Sequence, residues 1–159
     1  MESIWEKTCK GPARPPLYGK AQADVAVIGG GMAGVLTAYF LKKGGAKVVL
    51  LEGARIGCGA TGKTTAKMTA QHGLTYAELI RKLGEPAAQE YASAMAGAVA
   101  AYWSVAKAEE IACDLQKAPA FLYARRTAAP LEEEAHAAAL CGISAKLTDR
   151  TELPFAVKG

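Results

Sequence analysis

The chain has 159 residues, 51% of them apolar and 21% charged, with a net charge of +4. That length suits one domain with a genuine core, and the composition excludes a disordered or collagen-like chain. The basic excess lies in the first half, where residues 1–85 carry 12 Lys/Arg against 6 Asp/Glu and residues 86–159 carry 7 against 9. Such a balance suits an anionic ligand and is too diffuse for a nucleic-acid footprint.

Residues 1–22 read as an irregular arm, because Pro12, Pro15 and Pro16 oppose regular helix. Residues 24–28 are a short β-branched run ahead of glycines, which predicts a buried parallel strand. Residues 32–43 predict a helix, with Val35/Tyr39 and Leu36/Phe40 repeating at i, i+4 and Gly44-Gly45 ending it. Residues 47–51 predict a second strand, closed by Glu52. Residues 53–71 form a long Gly/Thr-rich loop, a length that usually marks function in a compact domain.

Further on, Thr75-Tyr76-Ala77-Glu78 reads as a capping box opening a short helix to Leu83. Pro86 suits the first turn of a longer helix to about Ile111, with an apolar face of Tyr91, Met95, Val99, Tyr102 and Ala106. Residues 121–123, and more weakly 113–115, suggest strands. Residues 131–140 predict a helix after Pro130, with Glu132, Glu133 and Glu134 complementing its dipole and Gly142 ending it. A turn or strand to Leu147 and one helical turn over 148–153 complete the chain.

The strongest motif is Gly29-Gly30-Gly31-Met32-Ala33-Gly34. Gly29, Gly31 and Gly34 fit G-x-G-x-x-G between a predicted strand and helix, and a second strand ends in Glu52, 18 residues beyond Gly34. This complete βαβ context is what a dinucleotide site requires. Gly29 allows the tight turn, Gly31 admits a pyrophosphate and Gly34 lets helix and strand pack closely. Phosphates sit well at a helix N-terminus, and Glu52 is placed to accept ribose hydroxyls while repelling a 2′-phosphate.

Gly57-x-x-x-x-Gly62-Lys63-Thr64 formally matches a P-loop but lacks the preceding apolar strand, so triphosphate binding is not expected. An NAD-binding dehydrogenase domain and a non-catalytic dinucleotide-binding module are the alternative readings of the glycine turn. The long loop after Glu52 argues against the first.

The segments beginning at Asp24 (D-V-A-V-I-G-G-G-M-A-G-V), Val48 (V-V-L-L-E) and Gly57 (G-C-G-A-T-G-K-T-T-A-K) resemble the FAD-dependent oxidoreductases typified by D-amino acid oxidase, glycine oxidase and sarcosine oxidase. Residues 69–76 and Ser3-Ile4-Trp5 resemble a subgroup that often carries a C-terminal Rieske domain. The resemblance implies an α/β fold: a Rossmann-like FAD-binding βαβ unit over 23–111 after the arm, then the start of an α+β substrate domain over 112–159. It implies the N-terminal part only of a longer oxidoreductase that takes a hydride from an amine- or hydroxyl-bearing small molecule onto FAD.

By the same resemblance, Gly29, Gly31, Met32, Ala33 and Gly34 line the pyrophosphate. Glu52 binds the ribose, with Gly53, Ala54 and Arg55 beside the adenosine half. Thr61, Thr64, Thr65, Ala66 and Met68 approach the ribityl chain and isoalloxazine. No catalytic residue is nominated: His72 reads as a turn residue, Lys67 as a solvated or pyrophosphate-facing lysine, Cys58 as a small loop residue, and His136 as solvated. Tyr102 and Trp103 suit helix packing.

Cys9, Cys58, Cys113 and Cys141 form no C-x-x-C pair and the two histidines are far apart, so no metal site is expected. Free thiols fit a reducing cytoplasm. The N-terminus lacks an apolar signal core, and the longest uncharged stretch, residues 25–41, contains three successive glycines and is short for a membrane span. The expected partners are a small-molecule substrate and an electron acceptor. A sheet of only two strands also has an exposed edge that invites self-association.

Overall fold

The computed structural model describes residues 3–9, 11, 13–151 and 153–158. Pro12 and Glu152, both within segments interpreted above, lie outside the described residues. The chain divides into two compact units, Met1–Lys67 and Met68–Gly159.

In the first unit, strand β1 (Val25–Ile28) leads through helix α2 (Met32–Lys43) to strand β2 (Val48–Leu51); helix α1 (Ile4–Thr8) precedes them. The two strands pair in parallel, Val25 opposite Val48 through Ile28 opposite Leu51. Asp24 sets this register at its open end: its Oδ2 accepts from Lys47 N at 2.8 Å. α1 corrects the expected irregular arm. It ends before the prolines, and Ser3 and Glu6 close a capping box at its start.

β1 is buried on one face only, which also corrects the expectation. Val25 and Val27 are half-buried, whereas Ala26 is exposed and Ile28 is 86% exposed. Parallel sheets are normally covered on both faces, and α2 supplies one cover. Val35 and Phe40 on α2 are themselves exposed. Among the described residues, the buried positions of this unit are Gly30 and Gly62.

The second unit packs helices α3 (Thr75–Leu83), α4 (Glu85–Ala108) and α5 (Ala129–Leu140) around Tyr76, Ala88, Ala92, Ala137, Ala138 and Cys141. Alanine on α4 and α5 brings the helices close around one large ring, Tyr76, which has no solvent exposure. Tyr76 Oη donates to Ala70 O at 2.6 Å, and Tyr91 packs edge-on against the ring. Of the apolar face expected on α4, Tyr91, Met95, Val99, Tyr102 and Ala106 are only half-buried. The tightest contacts fall to the small residues Ala88 and Ala92.

Three expectations fail here. Thr75 is the first helical residue of α3, not its cap, and its hydroxyl donates back to His72 O. Glu134 performs the capping instead: its Oε1 accepts from Tyr76 N and its Oε2 from Ala77 N, both at 2.9 Å. Residues 113–115 and 121–123 form no strand, because nothing pairs with them among the described residues. In place of the helical turn expected over 148–153, the described residues there carry hydroxyl bonds, with Thr148 and Thr151 accepting from Arg150 N and Leu153 N.

Candidate functional site

Two glycine turns meet at the C-terminal ends of β1 and β2. The first runs from Gly29, whose φ of +102° suits glycine, into α2. A Cβ on Gly34 would overlap the Gly29 carbonyl oxygen, so only glycine permits this close entry of helix onto strand. The second turn repeats the device: Gly57 has φ +78°, and a Cβ on Gly62 would overlap the Gly57 carbonyl oxygen. It enters a 3₁₀ turn, Thr61–Lys63.

Hydrogen bonds join the two turns. Gly57 N donates to Gly30 O at 2.9 Å, and Met32 N donates to Thr61 Oγ1 at 2.9 Å. Gly30 is enclosed by Ile56 and Glu52, which a Cβ there would press upon at 3.0–3.2 Å. A Cβ on Gly31 would come within 3.3 Å of Thr61 Oγ1.

Glu52 closes the arrangement. Its Oε2 accepts from Gly30 N at 2.7 Å and its Oε1 from Ala54 N at 2.9 Å. These donors, Gly30 foremost, then Ala54 and with Gly53 after them, hold the carboxyl below its ordinary range. It is therefore an anion at neutral pH, with lone pairs left on both oxygens.

The N-cap residue Gly31 has no side chain to cap α2, and Thr61 Oγ1 takes only the first N–H, that of Met32. The N–H groups of Ala33 and Gly34 find no partner among the described residues, at the positive end of the helix dipole. Gly29, Gly31, Met32, Ala33, Gly34, Glu52, Gly53, Ala54 and Thr61 thus gather at one end of the sheet.

The remaining expected positions are more dispersed. Arg55 O accepts from Cys58 N. Thr64 Oγ1 accepts from Ala66 N at 3.1 Å, and Ala66 adopts φ +56°. Thr65 is exposed, while Met68 is half-buried in the second unit. His72, Lys67 and His136 are exposed, and Cys58 is half-buried. Among the described residues no group of His, Cys, Asp and Glu could hold a metal ion, and no helix is long and apolar enough to cross a membrane.

Three contributors escaped the sequence reading: Gly30, Ile56 and Trp5. Trp5 Nε1 donates to Thr64 O at 2.7 Å across 59 residues of chain. A tryptophan beside a capping-box serine was the available signal, but nothing in the pattern names its partner.

Residues 24–156 match the FAD dependent oxidoreductase (DAO) family, and the chain belongs to that family. FAD is accordingly its cofactor. The chain is similar to the "Putative Rieske 2Fe-2S iron-sulfur protein YhfW" of Bacillus subtilis, with 38% identity over 122 residues covering 77% of this chain and 24% of that protein. It is also similar to the "Probable oxidoreductase OrdL" of Haemophilus influenzae, with 40% identity over 76 residues covering 48% of this chain and 18% of that protein. The matched segments span about a quarter or less of these curated relatives. No solved structure matches the chain.

Proposed function

We propose that this chain is the nucleotide-binding, N-terminal part of a flavin oxidoreductase and that its strand–helix–strand unit is Rossmann-like. The observation that carries this reading is the pair of N–H groups, on Ala33 and Gly34, that the first turn of α2 leaves without a partner among the described residues. Ala33 N–H and Gly34 N–H are free to receive the FAD pyrophosphate, and Gly31 offers no side chain to fill its place. Glu52 keeps a lone pair on each oxygen for the adenosine ribose while its other bonds hold Gly30 and Ala54 in position. Gly53, Ala54 and Arg55 flank the adenosine half. Thr61, having accepted from Met32 N, retains its hydroxyl proton to donate toward the ribityl side. Thr64, Thr65, Ala66 and Met68 belong to the flavin half.

Bound FAD supplies a hydride-accepting ring, and the protein supplies position and electrostatics. The substrate class is an amine- or hydroxyl-bearing small molecule. Four free cysteines accord with a cytoplasmic site of action. The uncovered Ala26/Ile28 face and the two-stranded edge would associate with further chain, a second copy included. Light scattering at increasing concentration reads this directly: a monomer at every concentration would exclude the second copy.

The test of the central reading is retention of flavin. Purified protein, or apoprotein titrated with FAD, should quench flavin fluorescence and show the visible flavin band. Gly31→Val should abolish both. Equal retention by wild type and variant would overturn the assignment of the turn.

A further inference from the structure

We infer that Trp5 is a positioning residue for the flavin half of the cofactor and that helix α1 acts as a clip on the 61–66 loop. The inference rests on the site reading above and adds a residue that acts through the Thr64 carbonyl. A five-residue helix is too short to persist alone in water, so α1 must be held by caps and by docking. The Ser3–Glu6 capping box supplies the first, with Ser3 N donating to Glu6 Oε2 at 2.8 Å. Trp5 supplies the second through its 2.7 Å bond to Thr64 O. Glu6 is held below its ordinary pKa chiefly by Ser3 N–H, with Lys63 and Arg55 on the neighbouring loop adding to the effect. It also lies 3.7 Å from where a Gly62 Cβ would sit.

The consequence for the loop follows from peptide geometry. The 64–65 peptide is trans, so the Thr64 carbonyl and the Thr65 N–H point in opposite directions. Tying the carbonyl to Trp5 fixes the peptide plane and presents Thr65 N–H on the side away from α1. That N–H has no partner among the described residues. The next N–H, of Ala66, is already taken by Thr64 Oγ1, which holds Ala66 at its left-handed φ of +56°. Thr65 N–H is therefore the backbone donor that Trp5 aims, and the acceptor-rich edge of an isoalloxazine ring is the chemistry that would receive it. α1 and the 61–66 loop lie in the same compact unit, so the clip does not depend on the rest of the chain.

The test compares two ligands on the full 159-residue chain by calorimetric titration. ADP carries the adenosine and pyrophosphate but no flavin; FAD carries all three. Trp5→Phe keeps a ring and removes the N–H donor. It should weaken FAD binding about threefold to tenfold, the effect of one lost hydrogen bond, and leave ADP binding unchanged. Ser3→Ala removes the cap while leaving Trp5, and should shift FAD binding in the same direction by less. If Trp5→Phe does not fold, Ser3→Ala alone decides. Equal losses for FAD and ADP would assign Trp5 a merely structural role and overturn the inference, as would unchanged FAD binding. Wild-type protein that binds ADP as tightly as FAD would also overturn it, because the loop would then contribute nothing. Wild-type protein that binds neither would instead overturn the reading of the glycine turn beneath it.

Discussion

Glu134 Oε1 lies 2.9 Å from Tyr76 N, a bond that reaches across 58 residues to cap α3 with a carboxylate from α5. Glu134 is only 3% exposed, and it also accepts from Ala77 N at 2.9 Å and from Gln71 Nε2 at 2.7 Å. A charged acceptor at the N-terminus of a helix opposes the positive end of the dipole. Buried as it is, its removal would strand three donors at once. Glu134→Ala should therefore destabilise the second unit by about 2–4 kcal/mol, measured by urea unfolding. Glu134→Gln should cost less, since its carbonyl still accepts while its amide faces a donor. A loss under about 0.5 kcal/mol for the alanine variant, the scale of an ordinary surface change, would show that the cap is dispensable.

Glycine substitutions separate packing from conformational freedom. Gly34→Ala drives a methyl group into the Gly29 carbonyl oxygen, and backbone cannot yield as a flexible side chain can. It should cost at least about 3 kcal/mol, or leave the first unit unfolded. Gly53→Ala is the control: its Cβ meets nothing within 4 Å, and the change should stay within about 0.5 kcal/mol. Circular dichroism with thermal melts reads both.

Glu52→Ala should weaken FAD binding at least about tenfold, through lost bonds to the ribose. The sequence places this strand-end carboxylate against the ribose and gives it no further role. Its bonds to Gly30 N and Ala54 N change that expectation, because the variant also releases the turn. Hydrogen exchange at Gly30 and Ala54 should accelerate in the variant even without ligand.

The same bonds set a pH dependence. Glu52 has a folded pKa below its ordinary value of 4.5, chiefly because Gly30 N–H donates to the ionised form. A depressed carboxylate stabilises the fold above the unfolded pKa, and that contribution is lost as pH falls through the folded one. The stability advantage of wild type over Glu52→Gln should be constant at neutral pH and shrink only below the ordinary carboxylate range. An advantage that grew in acid would contradict the sign.

Thiol chemistry should report the core of the second unit. Burial pushes the Cys141 thiol up, with Glu85 and Glu134 adding to the effect, while Cys9 and Cys113 are exposed. The thiolate is the reactive form. An aromatic disulfide reagent at mild alkaline pH should label Cys9 and Cys113 quickly and Cys141 only on unfolding. Cys141 labelling at the rate of Cys9 in native protein would contradict its placement.

What the sequence alone determined was the local order of the nucleotide end: strand, glycine turn, helix and strand, then a carboxylate. Each of those signals is short-range. The bounds of α2 follow from the glycines at both ends, and the need for glycine at position 34 follows from its spacing to Gly29. What only the tertiary structure decided were the long-range partnerships. Thr75-x-x-Glu78 has the local form of a capping box, yet Glu134 won the position, since a buried carboxylate with three donors outcompetes an exposed one with one. Residues 113–115 and 121–123 have strand-like composition, but a strand exists only where another pairs with it. Trp5 and Thr64, 59 residues apart, meet through a single indole bond that no periodicity encodes. Helical and turn chemistry is written between neighbours in the chain, whereas a cap or clip from a distant segment depends on how the chain comes back upon itself.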